Sequence, residues 1–293
     1  MKKVILAALM TVIVSLTAGA KSAPDTYFPY PLVPDSIQTL EGRSNFLISH
    51  FWDFCDLKKS FSSRAKMAES FSDYLSFMPY ASAKVVHRSI ARFIKELEKQ
   101  PDDLVFIART AEQMVHSDSS RIFSDELYLP FALAVVNNKR VKKEDKAYFE
   151  PQVKVLNATM LNTRMPDISY IDRNGSKAVF SPDSTDIVLL FFTEPGDSKA
   201  LLAKARLNAD SKATNFIKNG MMKVVAIAKM QPGEEWLSFA KTIPEDWIAG
   251  TNPDIDSVYD IRFTPSFYVV DNGGNILLKN ASIDQVISIL EKL

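Results

Sequence analysis

Cysteine is almost absent from this chain. Cys55 is the only one among 293 residues, so no intramolecular disulfide can form, and chemistry that cycles a pair of thiols within one chain is excluded. Glycine is scarce as well, with nine residues in all. Only Gly42 falls between Gly19 and Gly175, a long interval with few of the turns that a β structure needs. Histidine is limited to His50, His87 and His116, at no metal-ligand spacing. There is no Walker loop, no dinucleotide fingerprint and no G-x-S-x-G, so no cofactor or metal is expected. The formal net charge is zero, which gives no reason to expect nucleic acid or an anionic membrane as partner.

Long hydrophobic runs are limited to the N-terminus. Lys2-Lys3 precede an apolar stretch from Val4 to Thr17, and Ala18-Gly19-Ala20 offer small residues for cleavage. This reads as an export signal over residues 1–20 of bacterial style. The run falls short of the ~20 residues that span a bilayer, so no membrane insertion is expected once the signal is removed, and the destination is periplasmic or secreted. The competing reading is a membrane anchor. Export permits disulfides, yet the odd thiol of Cys55 has two outlets only: pairing between chains, or packing as a small hydrophobe among Phe51, Trp52 and Phe54.

The length suits two domains at ~100–200 residues each. Residues 21–40 form an extended lead-in, with Pro24, Pro29, Pro31 and Pro34 set around Tyr27, Phe28 and Tyr30. Residues 41–162 are helical by period. Phe46, Leu47, Phe51 and Phe54 share a face; Met67, Phe71, Tyr74, Leu75 and Met78 share another; Val85, Val86, Ile90, Phe93, Ile94 and Leu97 make a third. Pro101-Asp102-Asp103 opens a fourth helix, since proline suits the first turn and acids suit the positive helix end. Leu127–Val136 and Lys143–Leu161 follow, the latter with Pro151 as a kink or break. This half is expected to be an all-α domain.

From residue 163 to 293 the pattern alternates. Hairpin turns are read at Asp172–Gly175 and Asp271–Gly274, strands at Ile187–Phe192 and Lys223–Ala228, and helices at Ser198–Asn219, Glu234–Lys241 and Ser282–Leu293. The fold class is therefore α+β with two domains, the second an α/β domain with a mixed sheet.

Several features of residues 163–293 carry a resemblance. They are Met165-Pro166-Asp167 with its hairpin, the apolar strand before Glu194-Pro195-Gly196-Asp197, Trp236 and Trp247, and the run Tyr259–Asp271 containing Phe263-Thr264-Pro265-Ser266-Phe267. This half resembles the thioredoxin-like domain of exported bacterial thiol-disulfide oxidoreductases. The helical half, with Tyr30-Pro31 and Phe51-Trp52-Asp53-Phe54, resembles a domain of unknown function that bacteria fuse to such modules. The resemblance implies a cis Thr264–Pro265 bond and a Cys-x-x-Cys at the start of the helix after the central strand. Aligned on that strand, Asp197 and Ala200 stand at the two dithiol positions. Asp197 suits a helix N-cap instead.

The expected function is a redox-inactive, non-catalytic, exported protein that binds a polypeptide or acts as a scaffold, with Glu194, Pro195, Phe263, Thr264 and Pro265 as the pocket. Two alternatives stand beside it. One is an enzyme with a site in the helical domain or the interdomain cleft, for which His50, His87, His116 or Cys55 would have to converge with carboxylates. The other is a purely structural exported protein. Two weaker patterns are a Glu194/Asp197 carboxylate pair for acid–base work, and Asn252, Asp254, Asp256 and Asp260, which in part resemble a calcium loop but lack its glycine and closing glutamate.

Overall fold

A computed structural model describes residues 26–117, 120, 123–182 and 187–292. The expected export signal and Pro24 lie outside the described residues. The chain divides into two compact units, one ending at Asp103 and the other beginning at Leu104.

The first unit holds α1 (Leu40–His50), α2 (Leu57–Ser60), α3 (Arg64–Phe77), a 3-10 turn (Met78–Tyr80), α4 (Ala83–Leu97) and the first turn of α5 (Pro101–Val115). The stripe expected on α4 is its buried face, from Val86 to Leu97. On α1 the buried residues are Ser44 and Ile48, not Phe46 and Leu47. The helix stops at His50, and the turn that follows rotates Phe51 and Trp52 inward while Phe54 stays exposed. Trp52 stacks on Phe93 with centroids 4.1 Å apart. Tyr74 donates to Ser89 Oγ at 2.8 Å, and Ser89 donates to the Ile48 carbonyl at 2.6 Å, so the buried hydroxyls are satisfied. The proline-rich lead-in lies on this core: Phe28 is buried against Phe51 and Trp52, and Tyr30 donates to Asp73 at 2.8 Å. Cys55 is half-buried, with Sγ 3.3 Å from Ser60 Oγ. Burial pushes the thiol up, against the Ser60 hydrogen bond and with a smaller push from Asp56.

The second unit continues α5 and adds α6 (Asp125–Asn137) and α7 (Lys143–Ala158). The α/β segment follows: β1 (Ile168–Asp172), β2 (Lys177–Phe180), β3 (Ile187–Thr193), α8 (Ser198–Ala209), α9 (Ser211–Lys218), β4 (Met222–Ala228), α10 (Glu234–Ala240), β5 (Ile248–Thr251), β6 (Ser266–Asp271), β7 (Ile276–Ala281) and α11 (Ile283–Leu290). The strand order is β2-β1-β5-β4-β3-β6-β7. β3, β4 and β5 run parallel, and the outer strands pair antiparallel. β3 is buried on both faces, as a continuous apolar run requires. Leu189 and Phe191 join Trp236 and Phe267 on one side; Val188, Leu190 and Phe192 join Tyr259 and Tyr268 on the other. Trp236 Nε1 donates to the Asp172 carbonyl at 2.8 Å. Among the described residues no helix is long and apolar enough to cross a membrane.

Three elements depart from expectation. The single helix read over Ser198–Asn219 is two, because the Asp210 carboxylate accepts from Lys212 N at 3.1 Å and Ala213 N at 2.8 Å and starts a new helix. The helix read to Leu161 ends at Ala158 and carries Pro151 without a break. β5 was not foreseen: its Gly250 takes the Tyr170 ring where a Cβ would sit, so a residue that reads as a breaker is here a close-packing residue.

The Asp210 cap yields a stability prediction. Asp210→Ala leaves two N–H groups of α9 unpaired and should lower the unfolding free energy by about 1 kcal/mol, measured by urea titration followed by tryptophan fluorescence.

Candidate functional site

One end of the sheet carries the expected site. β3 and β6 are antiparallel neighbours, with Phe192 opposite Ser266. Glu194 and Pro195 therefore leave β3 at the same end where Thr264 and Pro265 enter β6. The Thr264–Pro265 bond is cis, as the resemblance implied. Asp197 is the N-cap of α8, accepting from Lys199 N at 2.8 Å, and Ala200 is buried beneath it. Glu194, Asp197 and Ala200 border a cavity of about 10 Å³, close to the space of a single water. Glu194 is exposed, and nothing there completes an acid–base pair.

Beside Phe263 lies a much larger groove of about 610 Å³. Its walls include Phe123, Leu161 and Phe263, which are 41%, 38% and 48% exposed. Its floor includes Asp125, Arg262 and Lys279, all buried at the side chain. Asp125 is the first residue of α6, next to N-cap Ser124, whose Oγ accepts from Leu127 N at 3.3 Å; a carboxylate is favoured at that end of a helix. It pairs with both Arg262 and Lys279. Asp260 joins the same cations, 2.9 Å from Arg262 and 3.5 Å from Lys279. Asn280 holds the group together. Its Oδ1 accepts from Arg262 N at 3.3 Å and from Ser266 Oγ at 3.1 Å, and its Nδ2 donates to Asp260 at 3.1 Å. Arg262 lies over the Phe123 ring.

His116 completes the cluster. Its ring stacks on Tyr128 at 4.4 Å, and Nδ1 is 3.2 Å from Asp125 Oδ1 and 3.3 Å from Arg262 Nη2. A guanidinium only donates, so Nδ1 either accepts from Arg262 or donates to Asp125. Burial pushes the Asp125 carboxyl up, but the His116 hydrogen bond and the charges of Lys279 and Arg262 outweigh it and hold the group well below the usual carboxylate range.

Of the four residues that an enzyme reading needed to converge, only His116 meets a buried carboxylate. His50 pairs with Asp53 at 2.7 Å on the surface, His87 is exposed, and Cys55 belongs to the first unit. The calcium-loop pattern dissolves: Asn252 caps Asp254 N at 2.8 Å, Asp256 pairs with Lys229, and Asp260 serves the cluster. Among the described residues no His, Cys, Asp or Glu group is arranged to hold a metal. Of the groove and cluster residues, Phe263, His116 and Asp260 were singled out from sequence, each for a different reason, and their convergence with Asp125, Arg262 and Lys279 was not.

The cluster predicts a pH dependence. Asp125 has a folded value below its unfolded ~3.9, so its contribution is fully present above about pH 4 and is lost as pH falls below that. Asp125→Asn leaves Arg262 and Lys279 sharing the Asp260 carboxylate, with one buried positive charge in excess, and should cost about 3–5 kcal/mol at neutral pH. The difference from wild type should shrink below about pH 4, read from urea midpoints across the acid range.

No curated protein matches this chain in sequence. Among solved structures, a thioredoxin-like protein from Bacteroides caccae ATCC 43185 superposes with a TM-score of 0.76 at 19% identity, over 91% of this chain and 99% of that one. This shows the fold: a helical region followed by a thioredoxin-like α/β domain, here without a Cys-x-x-Cys. A conserved protein of unknown function from Bacteroides fragilis is 28% identical over 45% of this chain and 99% of its own, with a TM-score of 0.42. The thioredoxin domain of a thiol-disulfide oxidoreductase from Bacteroides vulgatus is 22% identical over 45% of this chain and 96% of its own, with a TM-score of 0.38. A family model described as a domain of unknown function, DUF5106, matches residues 11–158, half of the chain, and the chain belongs to the DUF5106 family.

Proposed function

We propose that this is an exported, redox-inactive thioredoxin-like protein that binds an extended polypeptide, and that it is not an enzyme. The observation that carries the reading is a contrast at one end of the sheet. Where a dithiol would sit, Asp197 and Ala200 leave about 10 Å³ and no sulfur. Next to Phe263, a groove of about 610 Å³ opens with aromatic and aliphatic walls. A site of that shape can bury apolar side chains of a bound segment and has nothing to oxidise or reduce it. Glu194, Pro195, Thr264 and Pro265 would border the bound chain. Export is supported by the leader pattern of residues 1–20.

The enzyme reading retains one observation, the approach of His116 Nδ1 to Asp125. It is the weaker reading because Asp125 is already committed to two cations, and His116 is not among the groove's lining residues.

Binding is tested with carboxamidomethylated insulin B chain, which cannot form disulfides. Phe263→Ala with Phe123→Ala should weaken its binding roughly tenfold or more, the equivalent of ~1.4 kcal/mol; unchanged affinity would remove the groove from the function. Thiol exchange with insulin should give no turnover, and turnover that persists in Cys55→Ser would end the redox-inactive reading. The vacated positions have their own test. Asp197→Cys with Ala200→Cys places two thiols on the first turn of α8, at Cβ···Cβ reach of roughly 3.5–4.5 Å for a disulfide. The helix end favours the thiolate at position 197. The double variant should cycle with dithiothreitol, and the single variants should not.

A further inference from the structure

β7 is not a regular strand where it passes the groove. Between the pairs Phe267–Ala281 and Val269–Leu278, β6 has one residue, Tyr268, and β7 has two, Lys279 and Asn280. This is a bulge. Asn280 takes a left-handed backbone there, φ 49°, a conformation that asparagine tolerates better than most residues. Neighbours on a regular strand point to opposite faces. Here Lys279 Nζ and Asn280 Nδ2 both reach Asp260 Oδ2, at 3.5 Å and 3.1 Å. The bulge therefore turns Asn280 to the same side as Lys279, onto the charged cluster.

What Asn280 meets there is the loop that carries Phe263. Among the described residues, no backbone–backbone hydrogen bond holds the N–H of Arg262, Phe263 or Thr264. Side chains hold the loop instead. Asn280 Oδ1 accepts from Arg262 N at 3.3 Å and from Ser266 Oγ at 3.1 Å, so one oxygen ties both ends of the segment 262–266. Its Nδ2 donates to Asp260, which pairs in turn with the Arg262 guanidinium at 2.9 Å. Phe263 lies inside the tied segment, exposed, as a wall of the groove.

We infer that Asn280 is the positioning residue of the groove: its amide holds the segment 262–266 so that Phe263 is in place before a chain binds. The inference rests on the polypeptide-binding reading above and assigns the presentation of this wall to one side chain. A loop without backbone hydrogen bonds of its own would otherwise be ordered at the moment of binding, and that cost is subtracted from affinity. A regular β7 could not supply the contact, because it would turn Lys279 and Asn280 to opposite faces.

Asn280 also lines the groove, so the test separates holding the loop from touching the ligand. Asn280→Gly removes the amide and keeps the left-handed backbone without strain. Asn280→Asp keeps an acceptor for Arg262 and Ser266. Both variants of the full chain are measured for amide hydrogen exchange by NMR in the free protein, and for binding of carboxamidomethylated insulin B chain. In Asn280→Gly the Arg262 amide should exchange roughly fivefold faster and the B chain should bind roughly fivefold more weakly, while the amides of β6 keep wild-type rates. Asn280→Asp should recover most of both losses. Unchanged affinity of Asn280→Gly would overturn this inference and leave the polypeptide-binding reading standing. So would weaker binding with an unchanged Arg262 rate, which would make Asn280 a ligand contact. Faster exchange that spreads equally through β6 would make Asn280 a general stabiliser and also overturn it. Absence of B-chain binding by the wild type would overturn both readings.

Discussion

The second unit depends on one buried carboxylate. Asp125 sits at the start of α6, facing Arg262 from the loop before β6 and Lys279 from β7. None of the three side chains is more than 10% exposed, and an isolated charge at such a depth is costly enough to be avoided. Each is tolerated because the others are in place, with Asp260 and Asn280 completing the set. The cluster therefore joins a helix of the helical region to the end of the thioredoxin-like sheet. It is consistent with a compact unit that begins at Leu104, well before the composition changes at residue 163. The change of sequence character and the change of compact unit are separate boundaries.

The same physics explains the start of α8. A helix N-terminus favours negative charge, whether thiolate or carboxylate. Asp197 uses that preference to satisfy a backbone N–H, and Ala200 closes the space behind it. The thioredoxin-like sheet is well formed in a chain whose single cysteine is Cys55.

What could be read from sequence was local. Ile187–Phe192 announced a buried central strand by its unbroken apolar run, Asp197 announced a cap by its place before a helix, and Phe263-Thr264-Pro265 announced its loop by its neighbours. The charged cluster gave no such signal. His116, Asp125, Asp260, Arg262 and Lys279 are ordinary polar residues one at a time, and only tertiary packing brings them together across more than 130 positions between Asp125 and Arg262. Lys279 in particular reads as a solvated strand end and is buried. Asp210 was legible in principle, since Asp-Ser-Lys can restart a helix, but the apolar period ran through it without a gap. Gly250 was misleading because a close approach and a chain break look alike from sequence.

The groove itself has a simple cause. α7 ends at Ala158, and the following residues must reach the edge of β7 to begin the sheet. They arrive only at Asn162, whose left-handed backbone is tolerated by an asparagine far better than by a branched residue. Had the chain joined the edge one or two residues earlier, Met160 and Leu161 would have covered Leu278 and Lys279, and no apolar opening would exist beside Phe263. Late arrival leaves Met160 and Leu161 off the edge of β7, as a wall of the groove. Natural sheets usually block such an edge with charge, proline or a bulge. Here the charged side chain of Lys279 turns into the buried cluster, and the edge is interrupted instead by a bulge: the pairing of β7 with β6 shifts register twice between Ile276 and Ala281, and Asn280 has φ 49°.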